Sequence, residues 1–210
     1  MEMFFRYVRE NWADLLVFTG QHIMMVLIGL LLALAVGIPL GILASRNRAS
    51  ARIILTAANI VQVFPSLALL VLLMVVFGLG TTTVVVGLFL YSLLPVIRNT
   101  FVGLTQVDKS IMEAGKGVGM SRLQIMVHVQ LPLALPFMLT GIRIAAVIAI
   151  GVATIAPLVG GDGLGREIYS GINMNNSARL YAGAIPAAIL ALLADFALER
   201  LQNRAKVSGR

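Results

Sequence analysis

The stretch SIMEAGKGVGMSRLQIMVHVQLP, residues 110–132, stands between apolar runs long enough to cross a bilayer, yet it carries Glu113, Lys116, Arg122, His128 and three closely spaced glycines. An apolar chain interrupts itself this way where it leaves the hydrocarbon. Ser110-x-x-Glu113 and Ser121-x-x-Gln124 both have capping-box spacing, so two helices are expected to start here. Gly117 and Gly119 fall between them, where glycine can take the positive φ angles that stop one helix and redirect the chain. The second helix has Leu123, Met126 and Val127 on one face. Its length of about 14 Å is far short of a crossing, so it is expected to lie at the surface. Leu131-Pro132 is expected to break it just before the next apolar run.

Working outward, 59% of the 210 residues are hydrophobic and only 12% are charged, which is the composition of an integral membrane protein. Five apolar runs approach or exceed the roughly 20 residues of a span. They lie at residues 23–43, 53–77, 81–97, 133–159 and 180–198. The fold class expected is therefore all-α and polytopic, one transmembrane domain over 1–210 without an internal repeat. Pro65 in the second run and Pro136 and Pro157 in the fourth predict kinks or partial unwinding. The net charge of +7 does not indicate nucleic acid, because the basic residues flank apolar runs and do not line one soluble face. Zero cysteines and two histidines exclude a disulfide framework and leave little for a metal site.

Basic residues mark the cytoplasmic side. One side holds Arg46, Arg48, Arg52, Arg98, Lys109, Lys116, Arg122, Arg200, Arg204, Lys206 and Arg210; the other holds Arg6, Arg9, Arg166 and Arg179, offset by Glu2, Glu10, Asp14, Asp162 and Glu167. This asymmetry predicts the N-terminus outside, the C-terminus inside and residues 98–132 in the cytoplasm. Residues 1–22 lack the pattern of a cleaved signal. Phe4, Phe5, Val8 and Trp12 have helical spacing, which predicts an outer interfacial helix.

Only Arg143 and Asp195 are ionisable inside spans, where an unpaired charge costs at least about 2.5 kcal/mol. Their depths match, which predicts an ion pair; a role for Arg143 in guiding a substrate carboxylate is the alternative. Thr56, Asn59, Gln62 and Ser66 follow three- and four-residue spacing along the second span. That stripe is either helix–helix glue or the wall of a water-filled path, with Tyr91 offering a cation–π face.

The order of cap, glycine turn and Leu-Pro resembles the E-A-A-x3-G-x9-I-x-L-P signature of permease subunits in ATP-binding-cassette (ABC) importers. Here it reads Glu113, Ala114, Gly115, Gly119, Val129, Leu131 and Pro132, with Gly115 in place of the second alanine and Val129 in place of isoleucine. The resemblance implies a type I importer permease fold whose coupling helices dock on a separate ATPase. GIPLGIL (37–43), NIVQVFPSLALLVLL (59–73), YSLLPVIRNT (91–100), GIRIA (141–145) and GGDGLG (160–165) resemble the osmoprotectant branch, for glycine betaine, carnitine or choline. Methionine and other small-solute importers share the architecture, so an amino acid is the alternative cargo.

The partners implied are ATPase subunits, an extracytoplasmic solute-binding protein, a second permease chain, identical or homologous, and membrane lipid, in a bacterial cell membrane. No GxxxxGK[S/T] motif occurs, so no cofactor is expected on this chain; ATP and Mg belong to the ATPase. GGDGLG reads as a flexible exterior turn and not as a phosphate cradle. An ion-coupled secondary transporter fits less well, since such proteins use intramembrane carboxylates or unwound half-helices in repeated halves. A membrane enzyme lacks a catalytic cluster.

Overall fold

The computed structural model describes residues 2–208, and these are helical, with no strand among them. The helices are α1 (Glu2–Glu10), α2 (Trp12–Arg46), α3 (Arg48–Val63), α4 (Ser66–Phe77), α5 (Thr81–Thr105), α6 (Lys109–Gly117), α7 (Arg122–Ile125), α8 (Leu131–Ala153), α9 (Gly165–Asn173) and α10 (Ser177–Ser208). Helices α2, α5, α8 with its N-terminal extension, and α10 are each long and apolar enough to span a membrane, and α3 with α4 makes a fifth if the bent pair counts as one.

The second span is the one that departs furthest from a straight rod. It breaks between Val63 and Ser66, and its halves are bent by 99°. Pro65 has no N–H for a helical bond and holds Phe64 in an extended conformation. At 16 and 12 residues the two halves measure about 24 and 18 Å, so neither crosses a core of about 30 Å alone.

Packing centres on α5, which lies between α2 and α8. Small residues make the approach possible. A Cβ on Gly41 of α2 would stand 2.5 Å from the Thr100 Cβ of α5, and one on Gly141 of α8 would stand 2.6 Å from the Pro95 carbonyl. Leu88, Val84, Leu70, Ala149 and Val159 are fully buried in the main core cluster.

Three expectations at helix ends are corrected. The fourth span ends at Ala153, not at residue 159, because Pro157 sits in a 3₁₀ turn, Ala156–Val159, that folds the chain back. GGDGLG is packed, not flexible: Gly161, Gly163, Leu164 and Gly165 are buried, and a Cβ on Gly165 would stand 2.1 Å from the Thr154 carbonyl oxygen. The Leu131-Pro132 break does not occur. Pro132 lacks an N–H for the His128 carbonyl and its ring displaces that carbonyl. The backbone answers by widening into a π turn at Met126–Gln130, where the Leu131 N–H reaches the Met126 carbonyl. Helix therefore runs from Arg122 to Ala153 over 32 residues.

Candidate functional site

The signature residues surround the turn between α6 and α7. Helix α6 starts two residues earlier than the Ser110 box requires, because Asp108 is the N-cap, its carboxylate accepting from the Ser110 N–H at 2.9 Å. The Ser110 box is thus not formed. The backbone and side-chain hydrogen bonds from Ser110 hold the Asp108 carboxyl below its usual range, so the cap is lost only as pH falls through that lowered value. The Ser121 box is complete: the Gln124 N–H donates to Ser121 Oγ at 3.3 Å, and the Ser121 N–H donates to Gln124 Oε1 at 2.7 Å.

Gly119 has φ +85°, and nothing lies near its missing side chain. The left-handed backbone is what glycine supplies there. Gly117, by contrast, ends α6 without a positive φ. Gly115 is buried against Ile125 and Met120; an added Cβ would meet both at 3.4 Å, an ordinary contact, so the alanine of the signature fits this site. Glu113 and Ala114 are exposed, as is Pro132, while Leu131 is half-buried. The segment from α6 through the turn to the π turn exposes apolar side chains, with Val118 80% and Leu123 73% accessible and Ile111 and Val127 also exposed. Such exposure outside the spans marks an interaction surface.

The polar stripe is divided by the break. Thr56 and Asn59 are exposed on α3 and Gln62 is half-buried, but Ser66 opens α4 beyond the bend and does not continue their face. Tyr91 is also corrected: its side chain is buried, and its hydroxyl donates to the Phe64 carbonyl, so it offers no open ring face. Gln62 Nε2 donates to the Tyr91 carbonyl at 2.9 Å.

Arg143 and Asp195 meet between α8 and α10, Nε to Oδ1 at 2.5 Å and Nη2 to Oδ2 at 2.7 Å, the two-pronged geometry of a guanidinium on a carboxylate. Nη2 also reaches Glu199 at 3.1 Å, a partner that lies past the expected end of the fifth span and was not foreseen. A second ionic group was missed altogether. Glu167, 3% exposed, accepts Arg179 Nε and Nη2 at 3.0 Å each and the Tyr7 hydroxyl at 2.5 Å, tying α1, α9 and α10 together. Burial, then the bond to Glu167, pushes the Tyr7 phenol up to about 12, so it stays a donor at neutral pH. No sequence spacing announces a contact 160 residues apart.

Four long apolar helices, or five spans with the bent α3–α4 pair, and a helical turn between α5 and α8 are the architecture of an ABC importer permease. The chain superposes on an inward-facing structure of the MetNI methionine ABC transporter with a TM-score of 0.81, covering 91% of this chain and 95% of that one at 24% identity, a likeness of fold. The family described as binding-protein-dependent transport system inner membrane component matches residues 37–207, and the chain belongs to that family. It is 39% identical to the carnitine transport permease protein OpuCB of Listeria monocytogenes, over 97% of this chain and 94% of the relative. It is 44% identical to the glycine betaine/carnitine/choline transport system permease protein OpuCD of Bacillus subtilis (strain 168), over 94% and 86%. The osmoprotectant import permease protein OsmY of Salmonella typhimurium is 44% identical over 90% and 80%.

Proposed function

We propose that the chain is the membrane permease subunit of an ATP-driven importer for a compatible solute of the glycine betaine, carnitine or choline type. The observation that carries this reading is near-full-length identity of 39% and 44% to permeases named for those solutes. ATP and Mg are used by a separate ATPase subunit, a solute-binding protein delivers cargo from outside, and a second permease chain, identical or homologous, completes the path across a bacterial cell membrane. Glu113, Ala114, Gly115, Gly119, Leu131 and Pro132 form the ATPase-coupling element; the exposed apolar side chains of this segment support it. Thr56 and Asn59 line the path, since an exposed amide at this depth is costly against lipid and needs water or polar groups. Arg143, Asp195 and Glu199 form an ion cluster that holds α8 to α10. Helix α1 lies in the outer interface, with Phe5 exposed beside Arg9 and Trp12 exposed at the start of α2.

The cargo is tested by reconstituting the chain with its ATPase and binding protein in vesicles. Uptake of glycine betaine, carnitine or choline should require ATP and the binding protein. Uptake of methionine or histidine in their place would overturn the cargo, and uptake without the ATPase would overturn the class. The orientation is tested in the naturally cysteine-free chain: a cysteine at Ser121 should stay unlabelled by an impermeant thiol reagent in intact cells and react in inverted vesicles. Labelling from outside reverses the topology.

A further inference from the structure

Two prolines leave two backbone carbonyls without helical partners, and one pair of side chains takes up both. Pro95 lies inside α5 and has no N–H for the Tyr91 carbonyl four residues earlier; the Gln62 amide donates to that carbonyl. Pro65 ends the helical ladder of α3, and Phe64 and Pro65 are both extended, with ψ of 135° and 138°. The Phe64 carbonyl freed there accepts from the Tyr91 hydroxyl. The α3 side of the 99° break is thus bonded twice to the same residue of α5.

The two arms are held by different contacts. Helix α4 is pinned to α5 by Leu70, fully buried where a Cβ on Gly87 would stand 2.4 Å from its Cδ2. Helix α3 buries only Ala58. Rotation about ψ of Phe64 and Pro65 swings α3 without breaking a helical hydrogen bond; the bonds from Gln62 and Tyr91 oppose it, together with the packing of Ile54, Leu55 and Ala58 against Leu40, Leu94 and Ile97.

We propose that Gln62 and Tyr91 are positioning residues for transport, clamping a proline hinge at Phe64 and Pro65 about which α3 swings to open and close the path. This rests on the reading of α3 as a wall of that path. Neither residue needs to touch cargo, which separates their role from that of Asn59.

The test uses the assembled complex in lipid nanodiscs, with nitroxide labels on Ala57→Cys and Val75→Cys, both exposed. At 1.5 Å per residue the labelled backbone sites are about 18 Å apart at the present bend and about 27 Å apart in a straight helix. In the otherwise unaltered chain, pulsed electron-spin distance measurement should show a shift of several ångströms, on the order of half that range, between nucleotide-free and ATP-trapped complex. Tyr91→Phe keeps the ring and removes the bond; it should spread the nucleotide-free distances toward the long end and cut uptake on the order of tenfold, equivalent to a 1.4 kcal/mol change. Gln62→Leu should do the same by removing the other bond. Identical distances with and without nucleotide in the unaltered chain, or normal distances and uptake in both variants, overturn the clamp. Reaction of Asn59→Cys with a soluble thiol reagent reports on the path separately. A moving bend beside an unreactive position 59 supports the hinge and overturns the path; a reactive position beside a static bend does the reverse.

Discussion

Replacing Glu113 by lysine is expected to abolish solute uptake while leaving the chain folded in the membrane. Glu113 is exposed on α6, in a segment that also exposes the apolar side chains of Ile111, Val118 and Leu123. On the proposed coupling surface its carboxylate faces the ATPase, and reversing a charge at an interface costs several kcal/mol. Each 1.4 kcal/mol is tenfold, so productive docking should fall by more than about a hundredfold. The variant complex should lose ATP hydrolysis stimulated by the loaded binding protein. Gly115→Ala is the control: its new Cβ makes ordinary contacts at 3.4 Å, so uptake should be unchanged. Wild-type stimulation in Glu113→Lys would remove this surface from the coupling role.

The second large effect belongs to the seam between α2 and α5. Gly41→Leu should deplete folded chain from the membrane, because its first added carbon already falls 2.5 Å from the Thr100 Cβ and 3.0 Å from the Ile97 carbonyl. Overpacking of this kind costs about 1–3 kcal/mol or more, whereas leaving glycine in a helix gains less than about 1 kcal/mol; the clash wins. Gly20→Ala in the same helix adds a Cβ with nothing within 4 Å and should leave yield unchanged or improved. Detergent-extracted protein that elutes as a single species in both variants would show that the two helices do not need this close approach.

How much of this could be read from the residues differs from element to element. Five apolar runs and the Ser121 box are local patterns, and local patterns report local structure. Arg143 and Asp195 could be named because they alone are ionisable within the expected spans; Glu199, one turn further on, looked like part of the inner boundary. The Ser110 box failed because a better cap, Asp108, lies two residues upstream and captured the helix start. Pro132 was read as a stop because proline costs a helix one bond, but a π turn supplies the room its ring needs. The clamp was half visible: Gln62 and Tyr91 were both singled out, for a path and a cation. That Pro95 frees the carbonyl of Tyr91 follows from spacing, but which side chain takes it depends on how α3 lies against α5.

The π turn has one more consequence. With no loop between α7 and α8, the outward turn at Ser121 is the end of an unbroken rod of 32 residues, about 48 Å long. Whatever grips that end holds a lever with no slack in it: a tilt of the short arm must reappear as a tilt of the long one, among the helices it touches. The rod can absorb torque at the widened ring of backbone bonds at Met126–Gln130, set between handle and blade, and at Pro136, which has no N–H for the Pro132 carbonyl.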